Sequence, residues 1–434
     1  MTTPADRPSA DDLAPGLQVE VDVGPVAHGG HCVARFDGRV IFVRLALPGE
    51  RVIVKITEAR RGSFCRGEAV RVLRADPRRL DAPCGHFRPE GCGGCDFQHA
   101  EPELQRELKS FVIAEQLRRL AGVERGVIVE PLPGDGFGWR TRVRWALDDA
   151  GRIGPRRVRS HRVDGVNAAA PCLIAVPGLT ELAGSIDIPT GVRKAVTSTS
   201  TATAAPDGRT PRARRSRSTA GGLPEVTLTA AGDGTLTAVW TGSAAPTVTE
   251  HAAGREFSVA ADGFWQVHLA AAETLSQAVS DALDCIELAS GRAWDLYGGV
   301  GLFAEILCRA VGPNGSVVLV ETDPAACALA ETNLARHPQA VVRQGRVDAV
   351  IGEIDGAVDA VVLDPPRTGA GQAMCSEISA RGPAVIVYVA CDPAALGRDT
   401  AALASSGYRL DTLRAFDAFP QTHHVECVAR FVPA

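Results

Sequence analysis

A cysteine at position 391 stands between a long apolar run and an Asp-Pro pair. Residues 384–390 read Ala-Val-Ile-Val-Tyr-Val-Ala, and an uninterrupted run of this kind is typical of a buried parallel strand. Asp392 is a good N-cap and Pro393 a good first helical residue, so the sequence predicts a helix that begins right after the cysteine. The partial positive charge of a helix N-terminus favours a thiolate at Cys391. A buried structural thiol is the alternative interpretation of Cys391 taken alone.

Four other cysteines have the spacing of a metal site. Cys84 precedes a Cys-Gly-Gly-Cys motif from Cys92 to Cys95, and Cys172 lies well downstream. Three close thiols and one remote thiol fit a four-thiolate site, and the glycines let backbone N–H groups approach the sulfurs of a cluster. A structural zinc site usually pairs two Cys-x-x-Cys knuckles, whereas Cys172 stands alone. The spacing therefore favours a 4Fe–4S cluster, with zinc as the alternative.

Strand and helix patterns alternate over 264–434. After a helix predicted over 267–288, the sequence predicts strands at 293–297, 316–321, 340–343, 359–364, 384–390, 409–416 and 425–432. Seven strands with helices between the first six predict a doubly wound, Rossmann-like α/β sheet. Ligands of such sheets bind outside the carboxyl ends of the strands.

Carboxylates stand at the ends of three of these predicted strands. Asp295 heads a glycine-rich turn that runs to Gly301, and Glu321 ends the next strand, 26 residues after Asp295. A carboxylate at Glu321 suits ribose hydroxyls, which indicates a nucleoside-bearing cofactor, although NAD sites also bind the ribose with a carboxylate at this position. The glycine-rich turn begins with Asp295 and is not the Gly-x-Gly-x-x-Gly loop that binds a pyrophosphate. A rigid Pro-Pro pair follows Asp364. These two features favour S-adenosylmethionine.

The first part of the chain reads as a small barrel. Short β-rich runs near 17–21, 33–36, 40–43, 52–56 and 69–73 alternate with turn residues. Asp37-Gly38 between two of the runs is a strong hairpin signal. Five short strands predict an OB-like β-barrel over 15–76.

The charge distribution indicates a nucleic-acid partner although the net charge is −5. Residues 251–434 hold 12 Lys and Arg against 22 Asp and Glu, so the other 34 basic and 29 acidic residues fall in 1–250. Nine basic residues fall in 51–79 and eight arginines in 139–163, where Arg140, Arg142 and Arg144 alternate along a predicted strand. We interpret these clusters as RNA-binding surfaces. A solvated face or a salt-bridged sheet face is the alternative.

The remaining segments complete the predicted domain organisation. Residues 1–14 are expected to be a disordered leader, and 77–263 to form an α+β middle domain that carries the cysteine site. Within it, 101–122 reads as an amphipathic helix with Leu104, Leu108, Phe111, Leu117 and Leu120 near one face, and this helix is expected to pack on the C-terminal domain. Residues 194–224, rich in Ser, Thr, Ala and Arg, are expected to be a disordered insertion. We expect a cytoplasmic monomer with no membrane segment.

Three late motifs together resemble one enzyme family. Asp364-Pro-Pro-Arg, Cys391-Asp-Pro and Phe-Pro-Gln-Thr-His-His-Val-Glu, which ends at Glu426, occur in the order seen in RNA uracil-5-methyltransferases. The cysteine set and the N-terminal barrel resemble the branch of that family that carries a TRAM domain and a 4Fe–4S cluster. The resemblance covers 15–434 apart from the 194–224 insertion.

The resemblance implies roles for named residues. Cys391 would add to carbon 6 of a uracil, which makes carbon 5 nucleophilic, and Glu426 would remove the proton from carbon 5 after methyl transfer. The expected S-adenosylmethionine contacts are Gln266, Tyr297, Glu321 and Asp364, and His424 is expected to orient its neighbours. Asp392 stands where the family usually has Asn, and its carboxylate is expected to offset part of the helix effect on Cys391.

The expected substrate is a flipped uridine in structured RNA. Ribosomal RNA, 23S rRNA in particular, is favoured over uridine 54 of tRNA, because bacterial tRNA enzymes of this family often lack the barrel and the cluster. Two other functions compete with this prediction. One is a nonenzymatic RNA-binding protein with a vestigial site, and the other is an NAD-type oxidoreductase.

Overall fold

Five strands near the N-terminus close into a barrel in the computed structural model, which describes residues 9–60, 63–192, 223–354 and 356–434. The strands are β1 (Gln18–Val26), β2 (Cys32–Phe36), β3 (Arg39–Arg44), β4 (Arg51–Ala59) and β5 (Cys65–Arg74). Their order is β1-β2-β3-β5-β4, and β4 pairs with β1 to close the barrel. Asp37 and Gly38 both have positive φ, as a two-residue type I′ hairpin requires. The predicted barrel and its hairpin are confirmed.

The middle of the chain contributes one long helix and several short elements. These are α1 (Pro102–Ala121), β6 (Val129–Pro131), β7 (Arg142–Leu147), β8 (Ile153–Gly154), α2 (Leu179–Ser185), β9 (Glu225–Ala230), β10 (Leu236–Trp240), β11 (Thr247–Ala252) and β12 (Arg255–Ala260). Strands β10, β9, β7 and β8 form an antiparallel sheet in that order, and β11 pairs with β12. The predicted insertion falls almost entirely on 193–222, outside the described residues.

The C-terminal part is a mixed sheet with helices between its strands. Its elements are α3 (Ala271–Leu283), β13 (Arg292–Leu296), α4 (Leu302–Val311), β14 (Ser316–Glu321), α5 (Pro324–Asn333), β15 (Ala340–Gln344), α6 (Val347–Val350), β16 (Ala360–Leu363), α7 (Gln372–Ala380), β17 (Val385–Ala390), α8 (Pro393–Ser405), β18 (Tyr408–Asp417) and β19 (Glu426–Pro433). The order is β15-β14-β13-β16-β17-β19-β18-β6. The first five strands are parallel, and β19 is antiparallel to both of its neighbours.

Two details of the predicted C-terminal sheet are corrected. The sheet has eight strands among the described residues, because β6 from the middle of the chain pairs in parallel with β18 at its edge. The helix predicted over 267–288 is shorter, since α3 covers only Ala271–Leu283. All seven strands predicted from the alternating pattern are present within one or two residues of their expected bounds.

Helix α1 bridges the middle of the chain and the C-terminal sheet. The helix ends where the predicted range 101–122 ends, because Gly122 takes the left-handed conformation with φ 66°. It packs so tightly on α8 that a Cβ on Gly397 would lie 3.0 Å from the Gln116 carbonyl oxygen. The predicted apolar face is wrong at Phe111, which is 47% exposed, whereas the polar Gln105 and Lys109 are buried. No helix within the described residues is long and apolar enough to cross a membrane.

Candidate active site

All six predicted catalytic and cofactor residues line one cavity at an edge of the C-terminal sheet. This cavity has a volume of about 1410 Å³, and its lining includes Gln266, Tyr297, Glu321, Asp364, Cys391 and Glu426. Strands β13, β14, β16 and β17 run in the same direction, so the residues that follow them meet at one edge of the sheet. The antiparallel β19 starts at the same edge, which adds Glu426.

Cys391 and Glu426 stand next to the last cross-strand pair of β17 and β19. The ladder between these antiparallel strands ends with Ala390 opposite Cys427, and Cys391 and Glu426 are the chain neighbours of those two residues. Both line the large cavity, and Glu426 contributes to the raised pKa of the Cys391 thiol. The fold therefore brings a thiol and a carboxyl group to the same part of the sheet edge.

Burial raises the pKa of three carboxyl groups at this edge, those of Asp295, Asp364 and Glu426. Burial raises the pKa of Asp295 to about 7, with repulsion from Asp364 and Glu321 adding to the effect. Burial also raises the pKa of Asp364 to about 7. The pKa of Glu426 lies well above its ordinary value because of burial and of the nearby Asp364, and only the Arg367 guanidinium opposes this shift. Such raised values suit a group that must exchange protons near neutral pH.

Cys391 lies where the sequence predicts it, but its surroundings do not favour the thiolate. Asp392 caps α8 by accepting a hydrogen bond from the Ala395 amide at 2.8 Å, and Pro393 is the first helical residue, so the predicted strand–Cys–helix arrangement is confirmed. Burial nevertheless raises the pKa of Cys391 to about 12, and Glu426 and Asp364 contribute to that rise. The helix N-terminus alone is thus too weak to ionise the thiol.

The ribose-type carboxylate predicted at Glu321 is held by backbone amides. Its Oε2 accepts from Gly299 at 3.0 Å, and its Oε1 accepts from Thr322 and Asp323 at 2.6 and 2.9 Å. The turn before it is tight, because a Cβ on Gly298 would lie 2.5 Å from Leu319 Cγ. These contacts fix both the carboxylate and the glycine turn that faces the cavity.

Other cavity residues complete the list of site candidates. Tyr297 has φ 65°, a strained value for a tyrosine, and such strain is common at functional sites. Gln266 is 7% exposed in the segment before α3. Sequence reasoning did not single out Phe264, an aromatic side chain that lines the cavity while 72% exposed. An exposed phenylalanine leaves no periodic signal from which it can be found.

The loop before Glu426 is clamped from α1. Gln105 donates to Gln421 Oε1 and accepts from the Gln421 amide, both at 2.9 Å. Lys109 binds Asp417 at 2.5 Å and the Phe419 carbonyl at 3.1 Å. This explains why two polar residues of α1 are buried: they hold 417–421 in place.

The residues that follow Cys95 also form hydrogen bonds with the loop before Glu426. The amides of Asp96 and Phe97 donate to the Gln421 carbonyl at 2.8 and 3.0 Å, and Asp96 Oδ2 accepts from His423 Nδ1 at 2.6 Å. The neighbouring His424 faces the large cavity, and burial lowers its pKa to about 3. A neutral imidazole in this position is suited to orienting its neighbours rather than to supplying a positive charge.

Replacing Gln105 with alanine should impair catalysis without weakening cofactor binding. The change leaves the buried polar atoms of Gln421 unpaired, which costs about 1–3 kcal/mol of unfolding free energy, and it loosens the loop that leads to Glu426. We expect a lower thermal midpoint and slower methylation at unchanged affinity for S-adenosylhomocysteine, measured by calorimetry. Gln277→Ala on the exposed face of α3 is the matched control. Unchanged turnover in Gln105→Ala would show that the hydrogen bonds between Gln105 and Gln421 do not matter for the reaction.

The four predicted metal-ligand cysteines line a second cavity. Cys84, Cys92, Cys95 and Cys172 all contribute to a space of about 730 Å³ beside the barrel. Cys92 Sγ accepts a hydrogen bond from the Gly94 amide at 3.2 Å, which is the approach expected of this glycine pair. The local sequence Cys-Gly-Gly-Cys thus turns its sulfurs and its amides toward the same space.

The chemistry of the donor set fits a metal centre. Four thiols line one cavity, and thiolates are ligands of both iron–sulfur clusters and zinc. Within the described residues no three His, Cys, Asp or Glu side chains converge as ligands of one metal ion do.

The arginines of 139–163 divide between structural and exposed positions. Arg142 is 6% exposed and forms an ion pair with Glu250 at 2.8 Å, so the salt-bridged alternative holds there. Arg144 and Arg159 are exposed and line the cysteine cavity. Arg140 lines both this cavity and the large one. Of the three arginines that alternate along the predicted strand, Arg144 is exposed, whereas Arg142 is buried in its ion pair and Arg140 is half-buried.

Comparisons with protein families identify two regions of the chain. A model described as the TRAM domain matches residues 14–70, which contain nearly all of the barrel. A model described as tRNA (Uracil-5-)-methyltransferase matches residues 340–431, which include the ends of β16 and β17 and the start of β19.

Similar proteins match nearly the whole chain. An uncharacterized RNA methyltransferase of Streptomyces avermitilis is 42% identical over 96% of this chain and 99% of its own length. The 23S rRNA (uracil(1939)-C(5))-methyltransferase RlmD of Alkalilimnicola ehrlichii is 33% identical over 95% and 96% of the two chains. The crystal structure of Pyrococcus abyssi tRNA (uracil-54, C5)-methyltransferase with S-adenosyl-L-homocysteine has a TM-score of 0.66 at 20% identity and covers 95% of this chain and 100% of that one, so the fold is shared.

The full-length relatives and the two matching family models indicate the same function as the residues that line the large cavity. The nonenzymatic and NAD-dependent alternatives are thereby overturned. The chain belongs to the RNA uracil-5-methyltransferase family with an N-terminal TRAM domain, and it is an S-adenosylmethionine-dependent enzyme of that class.

Proposed function

We propose that this enzyme methylates carbon 5 of a uridine in 23S rRNA through covalent addition of Cys391 to carbon 6. The observation that carries the proposal is that Cys391 and Glu426 both line the large cavity, each next to the last cross-strand pair of β17 and β19. A nucleophile and a proton acceptor must reach adjacent ring carbons of one base, and neighbouring side chains on two paired strands meet that requirement.

The large cavity is suited to S-adenosylmethionine. Glu321 is fixed for ribose hydroxyls by its backbone donors, and Gln266, Tyr297 and Asp364 supply further polar contacts around the nucleoside and the amino acid end. When bound, the cofactor supplies a methyl group on a sulfonium. Its positive charge also favours ionisation of the buried acids and of the thiol at this edge.

Cys391 starts the reaction. Its thiolate forms a bond to carbon 6 of the uracil, and the electrons of the carbon 5–carbon 6 double bond move toward the oxygen on carbon 4. Carbon 5 then takes the methyl group, and the electrons of the broken carbon–sulfur bond stay on the cofactor sulfur. Arg367 is the nearby group that favours the thiolate, since it lowers the pKa of Cys391 against the effects of burial and the carboxylates.

Glu426 completes the reaction. In its ionised form it takes the proton from carbon 5, and the electrons of that carbon–hydrogen bond restore the ring double bond and expel the Cys391 thiolate. The raised pKa of Glu426 makes it a strong enough base for this proton. His424 and Phe419, whose rings are 5.8 Å apart in an edge-to-face contact, shape the cavity wall beside it.

Two surfaces are suited to the RNA around the target base. On the barrel, Arg66 lies over the rings of both Phe42 and Phe64, a combination that stacks on unpaired bases elsewhere. Near the cysteine cavity, the exposed Arg144 and Arg159 offer bidentate contacts to phosphates.

Ribosomal RNA is favoured because the full-length relatives named for a substrate include 23S rRNA enzymes at 33% and 32% identity. The test is mass spectrometry of nucleosides and RNA fragments from a strain that lacks the gene. We expect one 5-methyluridine to disappear from 23S rRNA and to return on complementation. Loss of the modification from tRNA instead would replace this substrate with tRNA, and intact modification in both would overturn the proposal.

We also propose that Cys84, Cys92, Cys95 and Cys172 hold a 4Fe–4S cluster. Support comes from the four thiols that line one cavity and from the Gly94 amide, which donates a hydrogen bond to Cys92 Sγ. Asp96 next to Cys95 contacts the loop before Glu426, so a filled site would stabilise the active-site wall through this chain's own hydrogen bonds.

Anaerobically purified protein should be brown and contain about four irons and four sulfides per chain. Cys172→Ser should lose the broad visible absorbance and most of the iron, because one iron loses its ligand. Cys285→Ser is the control, since Cys285 is exposed and lies outside the cavity lining. One zinc per chain without sulfide would overturn the cluster in favour of zinc.

A further inference from the structure

The N-terminal barrel reaches the active site through the turn between β1 and β2. The turn is closed by a hydrogen bond from the Ala27 amide to the His31 carbonyl, and Gly29 and Gly30 have positive φ. A Cβ on Gly30 would lie 2.7 Å from His423 Cβ, so the turn presses against the loop before Glu426. This fixes the position of His28 relative to the C-terminal sheet.

His28 contacts the residue that follows the nucleophile. Its Nε2 lies 2.9 Å from Asp392 Oδ2, while Asp392 Oδ1 caps α8 by accepting from the Ala395 amide. One carboxylate thus ties a histidine of the barrel to the helix that starts beside Cys391. A cavity of about 200 Å³ lies between the turn and the thiol, and its lining includes His28, Gly30, Arg367, Cys391 and His424.

The charge on Asp392 acts on the thiol. Burial alone would raise the pKa of Asp392, but the hydrogen bonds from His28 and Ala395 outweigh burial and hold that pKa below its ordinary value. The ionised Asp392 in turn raises the pKa of Cys391, after burial, Glu426 and Asp364. The charged or titratable groups around the thiol are His28, Lys109, Asp364, Arg367, Asp392, His423, His424, Glu426 and Cys427. Among them, His28 comes from the barrel.

We propose that His28 is a positioning residue for methyl transfer: through its hydrogen bond to Asp392 it fixes the start of α8 and disperses the negative charge of the carboxylate beside the Cys391 thiol. The inference rests on the proposed role of Cys391 as the nucleophile. It gives the barrel a part in the reaction besides contact with RNA.

The test is the rate at which iodoacetamide alkylates Cys391, followed by mass spectrometry of the Cys391 peptide in the full-length protein. Below the midpoint of titration this rate is proportional to the thiolate fraction. We expect His28→Ala to slow alkylation about three- to tenfold, which corresponds to a rise of about half a unit to one unit in pKa. Asp392→Asn should speed it. In the Asp392→Asn background His28→Ala should have no further effect.

Two further variants separate this role from a purely structural one. His28→Gln keeps a hydrogen-bond donor and should restore most of the rate, and the pH profile of methylation should move with the alkylation profile. His251→Ala, which removes an exposed histidine that contacts Glu256 in the β11–β12 pair, is the matched control. An unchanged rate in His28→Ala, or the same loss in the Asp392→Asn background, would overturn the proposal.

The readout is independent of the proposed reaction. Alkylation reports the ionisation of the thiol whether or not that thiol attacks uracil. If Cys391→Ala keeps its activity, the assignment of the nucleophile fails while the effect of His28 on the thiol is still measured. If a variant unfolds, its far-UV circular dichroism and its affinity for S-adenosylhomocysteine change, and His28→Gln then decides the question.

Discussion

Replacing Cys391 with alanine is expected to abolish uridine methylation while the cofactor still binds. The thiol is the group in the large cavity that can add to carbon 6, and the loss of a covalent nucleophile lowers turnover by about 10⁴-fold or more. The cofactor contacts at Gln266, Glu321 and Asp364 stay in place, so the dissociation constant for S-adenosylmethionine should change less than about twofold. Tritium transfer to RNA and equilibrium dialysis measure the two quantities.

The control for this variant is Cys285→Ala, which removes an exposed thiol outside the cavity lining. It should methylate RNA at the wild-type rate. Appreciable turnover in Cys391→Ala would remove this cysteine as the nucleophile. Loss of cofactor binding together with turnover would show instead that the change disturbs the strand end.

The position of Cys391 between a strand and a helix could be predicted because its determinants are local. A β-branched run, a cysteine and an Asp-Pro pair dictate a strand, a turn and a capped helix, and the structure has them at β17 and α8. The same holds for the seven alternating strands of the C-terminal part and for the Asp37-Gly38 hairpin of the barrel. In each case the signal lies within about ten residues, where propensity and capping decide the conformation.

The missed features depend on distant partners. Strand β6 is only Val129–Pro131, and it becomes the eighth strand because the edge of β18 is open beside it. Gln105 and Lys109 break the apolar face of α1 because their partners lie more than 300 residues away, at 417–421. A periodicity argument treats such polar residues as solvent-facing, so it also misplaced Phe111. Tertiary hydrogen bonds override the pattern at these positions.

The protonation state of Cys391 could not be predicted from the sequence for a related reason. The helix N-terminus is visible in the residues after the cysteine, and it favours a thiolate. Glu426 and Asp364, which oppose it, come from strands 35 positions later and 27 positions earlier in the chain, and only the sheet register brings them together. The net effect is a thiol whose pKa lies above its ordinary value, against the influence of the helix N-terminus.

Replacing Glu426 with glutamine should stop the reaction after methyl transfer. Glutamine keeps the size and the hydrogen-bonding capacity of the side chain but cannot accept the carbon 5 proton, so the bond between Cys391 and carbon 6 cannot be released. The expected result is a protein–RNA adduct that survives denaturing gel electrophoresis and carries the labelled methyl group. Its amount should approach one RNA per enzyme, with little free methylated product.

Two comparisons make the adduct specific. Adding Cys391→Ala to Glu426→Gln should eliminate it, because the sulfur that forms the bond is gone. Glu331→Gln, which changes an exposed carboxylate on α5 outside the cavity lining, should turn over normally without an adduct. Free and fully methylated RNA from Glu426→Gln would remove Glu426 as the base and leave its neighbour Asp364 as the carboxylate to test, since both face the same thiol across the edge of the sheet.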